Sequence, residues 1–215
     1  YNVVEKQEVG STVGNVKSDA GLGSQYDTAE LSRLEFSILK GNGGRRDGSR
    51  YFSIVQDTGI LRIASVIDRD TLCMRKSDCP LTFDVAVGPR EFLQFITVQI
   101  EVLDKNDHIP VFSESSARLS IPESSSPGTI YSLPAAQDQD GSEYSIIAYT
   151  MTPKFDEFEI RAEPNTMEAM ALDLVVLQGL DRETRGRYAF TVTATDGGNP
   201  PQTGTIDVEI IITDA

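Results

Sequence analysis

Apolar and polar residues alternate along much of this chain. The run Phe92-Leu93-Gln94-Phe95-Ile96-Thr97-Val98-Gln99-Ile100-Glu101-Val102 switches face at almost every step, and so does Arg187 to Thr195. A period of two predicts half-buried β-strands. The first run predicts a strand over Phe95 to Leu103, and Val111-Phe112 restarts an extended segment. Long helical periodicity is hard to find. Turn chemistry instead separates the short runs, as in Gly41-Asn42-Gly43-Gly44 and Gly197-Gly198-Asn199-Pro200-Pro201. The pattern predicts an all-β protein.

The pattern also repeats. Val3-Val4-Glu5 followed by Gly10-Ser11-Thr12-Val13 matches Ile121-Pro122-Glu123 followed by Gly128-Thr129-Ile130. Tyr51-Phe52-Ser53-Ile54, Leu61 and Val66-Ile67-Asp68-Arg69-Asp70 match Phe158-Glu159-Ile160, Leu177 and Gly179-Leu180-Asp181-Arg182-Glu183. Val98 to Asp104 matches Glu209 to Asp214. The similar offsets describe a tandem duplication with a spacing of roughly 110 residues. Two β-sandwich domains, 1–103 and 111–215, joined by a linker at 104–110, is the simplest architecture.

That linker concentrates oxygen donors. Asp104-Lys105-Asn106-Asp107-His108 offers two carboxylates, an amide oxygen and a run of backbone carbonyls just before Ile109-Pro110. Hard divalent cations, Ca²⁺ above all, are bound by such sets. Acidic positions elsewhere complement it: Glu5, Asp68 and Asp70 in the first domain; Asp138, Asp140 and Asp196 in the second. Any one of them is commonly an ordinary loop carboxylate. Gathered together they would repel and raise one another's pKa unless cations neutralised them. The duplication is asymmetric, because Lys17-Ser18-Asp19 and Ala86-Val87-Gly88 stand where the second domain has Asp138-Gln139-Asp140 and Thr195-Asp196-Gly197. The second domain keeps Glu123, Asp181, Glu183 and Asp214, a further half-set that precedes Ala215. The chain therefore reads as a piece of something longer, with one complete junction and one half-junction.

Composition narrows the partners. The 33 acidic and 19 basic residues give a net charge of −14, which argues against nucleic acid or an anionic membrane surface. No apolar run approaches the roughly 20 residues that cross a bilayer. Cys73 and Cys79, the only cysteines, are close enough to close a small disulfide loop in an oxidising compartment; two free thiols are the alternative. A zinc site lacks further ligands, since the single His108 is distant in sequence. Enzymatic use of paired carboxylates such as Asp138 and Asp140 is disfavoured. No nucleophile–His pair accompanies them, and metal binding explains their placement.

In combination these motifs resemble extracellular cadherin repeats, two of which account for the whole chain. The family's strand-break Glu, Asp-Arg-Glu triplet, linker, Asp-x-Asp pair and late Asp stand here as Glu5, Asp68-Arg69-Asp70, Asp104-Lys105-Asn106-Asp107-His108, Asp138-Gln139-Asp140 and Asp196. The opening Tyr1 to Val16 and the cysteine loop just after the triplet resemble protocadherins, closest to the clustered type. The resemblance implies Greek-key sandwiches with three Ca²⁺ ions at a complete linker. Two ions would use Glu5, Asp68, Asp70, Asp104 and Asp107, with the Lys105 carbonyl and Asp140 on the second. The third would use Asn106, Asp138, Asp140 and Asp196, with carbonyls at His108 and near Tyr144.

Three departures carry expectations of their own. Asp70 shortens the usual Glu, so the outer sites bind more weakly. His108 replaces Asn, a neutral change if only its carbonyl ligates. Gly141-Ser142 and Tyr144 differ from the pattern after the Asp-x-Asp pair. The classical strand exchange anchored by Trp is excluded, since the chain contains no Trp.

The expected function is non-enzymatic: calcium-dependent cell–cell adhesion and recognition by the extracellular part of a membrane-anchored plasma-membrane protein. The resemblance implies homophilic pairing with the same protein on an apposed cell, through further repeats. A calcium-stabilised heterophilic receptor or ligand-binding module is the alternative.

Overall fold

In the computed structural model, residues 1–41, 43–74, 76–141, 143–164 and 170–214 are described. Asn42 and Ser142, which the turn and ligand readings touch, lie outside these, as does Ala215. The chain divides into two compact units, Tyr1–Lys105 and Asn106–Ala215, the division falling within the 104–110 stretch.

In the first unit, β1 (Asn2–Val4), β7 (Gln94–Leu103), β6 (Pro80–Gly88) and β3 (Glu35–Ile38) form one sheet in that order. A second sheet contains β2 (Thr12–Asn15), β5 (Ile60–Ile63) and β4 (Phe52–Ile54). In the second unit the same two sheets recur: β8 (Ser116–Pro122), β14 (Thr203–Thr213), β13 (Arg187–Asp196) and β10 (Ile146–Thr152); then β9 (Ile130–Leu133), β12 (Met170–Val176) and β11 (Phe158–Pro164). In each unit the first strand runs parallel to the last, Val3 opposite Val102 and Ile121 opposite Ile212. The duplication is therefore one of topology as well as sequence: two Greek-key sandwiches with their seven strands in the same order.

Strand alternation explains both cores. Along β6, Leu81, Phe83, Val85 and Val87 are buried; along β14, Ile206, Val208, Ile210 and Ile212 are. Successive strand side chains point to opposite faces, so each sheet presents one apolar face to its partner. Each fully buried side chain of this size contributes about 1.5–3 kcal/mol relative to exposure. On β13 the buried series Tyr188, Phe190, Val192, Ala194 ends on Asp196. The strand's own period thus carries a carboxylate to an inward-facing position.

Turn geometry repeats too. Gly10 and Gly128 have φ of 90° and 92°, a region glycine enters at no steric cost, and each N–H bonds across to the second sheet, at Ile63 and Val176. Two details differ from the sequence expectation. Arg90–Phe92 form a 3₁₀ turn, and the strand expected over Phe95 to Leu103 starts one residue earlier, at Gln94. Counting from the equivalent pairs Val3–Val102 and Ile121–Ile212, Leu81 across from Ile100 corresponds to Tyr188 across from Ile210, so Val87 corresponds to Ala194 and not to Asp196.

Candidate metal centre

The first carboxylate set is built around a short helix. Asp68 is the N-cap of α1 (Arg69–Cys73): its side chain accepts from the Thr71 N–H at 3.2 Å and from the Thr71 hydroxyl at 2.9 Å. Such a cap satisfies an otherwise orphaned helix donor. Glu5 continues β1 past its last residue, its N–H bonding the Leu103 carbonyl. Its carboxylate accepts from two backbone N–H groups, Arg69 at 2.8 Å and Lys105 at 3.1 Å. The carboxylates of Glu5, Asp70 and Asp104 bring one oxygen each within 4.8 Å of one another. Glu5 is 1 % exposed, and burial, with Asp104 and Asp70 close by, pushes its pKa up to about 7 against the pull of the two N–H donors. Lys6 Nζ approaches Asp70 at 3.9 Å.

The second set gathers at one end of the second unit. Asp138, Asp140 and Asp196 are all buried. Asp196 accepts from Gly198 N at 3.0 Å, Gln202 N at 2.8 Å and Asn106 Nδ2 at 3.0 Å. Asp140 faces His108, whose Nδ1 lies 2.8 Å from Asp140 Oδ1 and 3.1 Å from Asp107 Oδ1. Asp138 accepts the Asp140 N–H on Oδ1, while its buried Oδ2 has no hydrogen-bond partner among the described residues. Burial raises the Asp138 pKa, the Asp140 N–H opposes that, and the Asp140 and Asp196 charges add to it. A buried carboxylate oxygen with no donor, beside two more buried carboxylates, fits a hard divalent cation.

The remaining expected residues form a third group. Glu123 repeats the position of Glu5: its N–H bonds the Thr213 carbonyl, and its side chain accepts from Arg182 N at 3.0 Å. Asp181 accepts from Glu183 N and the Thr184 hydroxyl, which hold its carboxyl below the usual range. Asp214 and Glu183 both take the Arg182 guanidinium.

Several contacts depart from what the sequence suggested. The His108 ring sits on two carboxylates, so replacing Asn there is not neutral as far as the side chain is concerned. Beside Asp196, the Gly197 N–H donates to the Ser145 carbonyl, a Cβ on Gly197 would meet the Glu143 carbonyl at 2.5 Å, and Tyr144 donates its N–H to Gly141. Arg69 and Gln202 were not singled out. Arg69 is buried at 3 % exposure, and Gln202 Nε2 holds both the carbonyl and the side-chain oxygen of Asn106 at 3.1 Å. The hidden signal for the first was the shared Asp-Arg-x-Thr at 68–71 and 181–184. Cys73 and Cys79 are disulfide-bonded, with Cα atoms 5.6 Å apart.

Comparison with known proteins agrees with this architecture. The cadherin domain family matches residues 117–213, and the cadherin-like family matches residues 1–88. Human Protocadherin-18 is 33% identical over 215 residues, covering 100% of this chain and 18% of its own. Human Protocadherin gamma-C5 is 34% identical over 214 residues, covering 100% of this chain and 21% of its own. The chain thus spans about a fifth of the length of these relatives. The solved Protocadherin GammaB4 extracellular domain superposes with a TM-score of 0.83 at 32% identity, covering 100% of this chain and 32% of that one. Cadherin repeats are not enzymes, and neither is this chain. The chain is a pair of tandem cadherin-type repeats, similar over its whole length to protocadherins.

Proposed function

We propose that this chain is the calcium-dependent adhesive and recognition part of a membrane-anchored, extracellular protein, comprising its first two repeats. Glu5, Asp68, Asp70, Asp104 and the Lys105 carbonyl would hold Ca²⁺ from the first repeat. Asn106, Asp107, Asp138, Asp140, Asp196 and the His108 carbonyl would do so from the second. Glu123, Asp181, Glu183 and Asp214 form a half-set that another repeat would complete. The bound ion supplies charge neutralisation, which turns a costly carboxylate cluster into a stabilised one. Because Asp104–Lys105 and Asn106–His108 are adjacent in the chain, ions on both sets stiffen the segment joining the repeats. A stiff segment spares the adhesive surface ordering entropy when it binds.

The observation that supports this most is the buried trio Asp138, Asp140 and Asp196, with an Asp138 oxygen that has no hydrogen-bond partner among the described residues. Pairing is homophilic in this reading, with the same protein on an apposed cell and through further repeats. Two repeats alone then associate weakly.

The test is a thermal melt in EGTA and across a Ca²⁺ titration, with Mg²⁺ as control. Ions that bind only the folded state stabilise it by mass action. A Ca²⁺-selective rise saturating at about 0.1–1 mM, the range of extracellular modules, is expected. A melting temperature indifferent to Ca²⁺ would rule the reading out.

A further inference from the structure

β1 is an edge strand. It runs parallel to β7 through three register pairs, Asn2–Glu101, Val3–Val102 and Val4–Leu103, and β7 is its one neighbour in the sheet. Backbone bonds bracket it. The Glu101 N–H donates to the Tyr1 carbonyl at 2.9 Å, and the Glu5 N–H donates to the Leu103 carbonyl at 3.0 Å. A strand held along one side only is drawn from the elements that open locally.

Tyr1 ties this strand to the other sheet. Its hydroxyl donates to Asp19 Oδ2 at 2.8 Å, and Asp19 lies four residues beyond the end of β2. The same carboxylate accepts the Asn15 N–H at 3.1 Å and the Ser18 hydroxyl at 2.9 Å, so its own loop holds it in place. Burial, with the Asp19 carboxylate adding to it, raises the Tyr1 pKa; the Tyr1 hydroxyl leads the donors that lower that of Asp19. The ring of Tyr1 lies on Gly14 in β2, where a Cβ would run into the ring carbons. Gly14 does not have a positive φ, so what its missing side chain provides is room for the ring. At the other end of β1, the next residue is Glu5, whose carboxylate stands with those of Asp70 and Asp104. Tyr1 and Glu5 thus flank a strand of three residues.

We infer that Tyr1 is the anchor of β1: its ring on Gly14 and its hydroxyl on Asp19 hold the strand on its own sheet and thereby place the Glu5 carboxylate in the first-repeat set. This rests on the calcium reading of that set, for which Tyr1 is a positioning residue and not a ligand. A strand that opens takes Glu5 with it. The apparent Ca²⁺ affinity then falls with the fraction of molecules whose strand is docked.

The test is amide hydrogen exchange of the two-repeat protein in EGTA, followed by calorimetric Ca²⁺ titration. Tyr1→Phe keeps the ring and removes the hydroxyl. One hydrogen bond changes an opening equilibrium about fivefold, so the Glu5 N–H is expected to exchange about fivefold faster in that variant, and faster still in Tyr1→Ala. Gly14→Ala keeps Tyr1 and Asp19 but evicts the ring, and is expected to act in the same direction. The Glu123 N–H, which bonds the Thr213 carbonyl at the matching position of the second repeat, is expected to keep the parent rate in all three. In the titration, Tyr1→Ala is expected to weaken Ca²⁺ binding, and to have no further effect in the background of Glu5→Gln. Unchanged Glu5 N–H exchange in Tyr1→Phe and Gly14→Ala would overturn the inference, because β1 would then stay docked without its anchor. Faster exchange with an unchanged titration would overturn the placement of Glu5, as would equal losses of affinity with and without the Glu5 carboxylate. A parent that binds no Ca²⁺ would overturn the calcium reading itself, and the exchange rates would still report whether Tyr1 holds the strand.

Discussion

At the scale of single residues, Glu5 carries the clearest consequence. It lies in a strand continuation, 1% exposed, with Asp70 and Asp104 beside it. Burial is the leading cause of its raised pKa, and the two acidic neighbours add to it. In the unfolded chain its carboxyl titrates near 4.5; folded and calcium-free, it titrates near 7. Between those values the folded state holds a proton the unfolded state has lost. Stability therefore falls as pH rises through that window and levels off above it. In EGTA the first repeat should lose stability from pH 4.5 toward pH 7, and Glu5→Gln should flatten the slope. Saturating Ca²⁺ favours the anion and should reverse the sign, with stability lost as pH falls. Melts of parent and variant at a series of pH values check this; identical slopes in EGTA would exclude Glu5 as the titrating group.

At the scale of elements, the sequence was readable wherever period and turn chemistry agree. The alternation on β6, β7, β13 and β14 reports buried faces directly, and the paired Gly10 and Gly128 mark the same positive-φ turn in each repeat. What lay beyond it was tertiary. The five-residue helix α1 is too short to leave a helical period, and its cap was legible only as a ligand motif. Whether the two cysteines were bridged depended on how close folding brings them. Arg69 reads as a surface residue until its carbonyl partners are known, and His108 as a backbone ligand until its ring is placed.

Two glycines near the second carboxylate set follow the same logic. A Cβ on Gly204, in β14, would meet the Pro110 carbonyl oxygen at 1.9 Å, whereas one on Gly198 would meet Asn106 Nδ2 at 1.8 Å. Backbone cannot give way, so Gly204→Ala should cost about 1–3 kcal/mol of stability with or without Ca²⁺. A side-chain amide can swing aside, at the expense of its bond to Asp196. Gly198→Ala should therefore leave the melt in EGTA nearly unchanged and weaken the Ca²⁺ response. Melts of both variants under both conditions distinguish them, and similar profiles would show that Asn106 does not contribute to binding.

At the scale of the whole molecule, the −14 charge and the division of the chain at 105/106 pose one question: what a cation would do for two separately compact units. Each sandwich has its own apolar core. The acidic residues nearest the division are those expected to bind Ca²⁺, and without a counter-ion they repel one another. In the calcium reading proposed above, an ion taking ligands from both repeats would restrain the connecting segment, whereas bare carboxylates there would only repel. Small-angle scattering of the two-repeat protein should therefore change from a flexible profile in EGTA to a rigid one in millimolar Ca²⁺. Asp107→Ala removes one carboxylate from the connecting segment and touches neither core. It should require more Ca²⁺ to reach the rigid profile and should shrink the Ca²⁺-induced rise in melting temperature. A parent whose scattering is the same in EGTA and Ca²⁺ would mean that the ions stabilise each repeat alone. An Asp107→Ala response equal to the parent's would remove that side chain from the set while leaving the others to be tested.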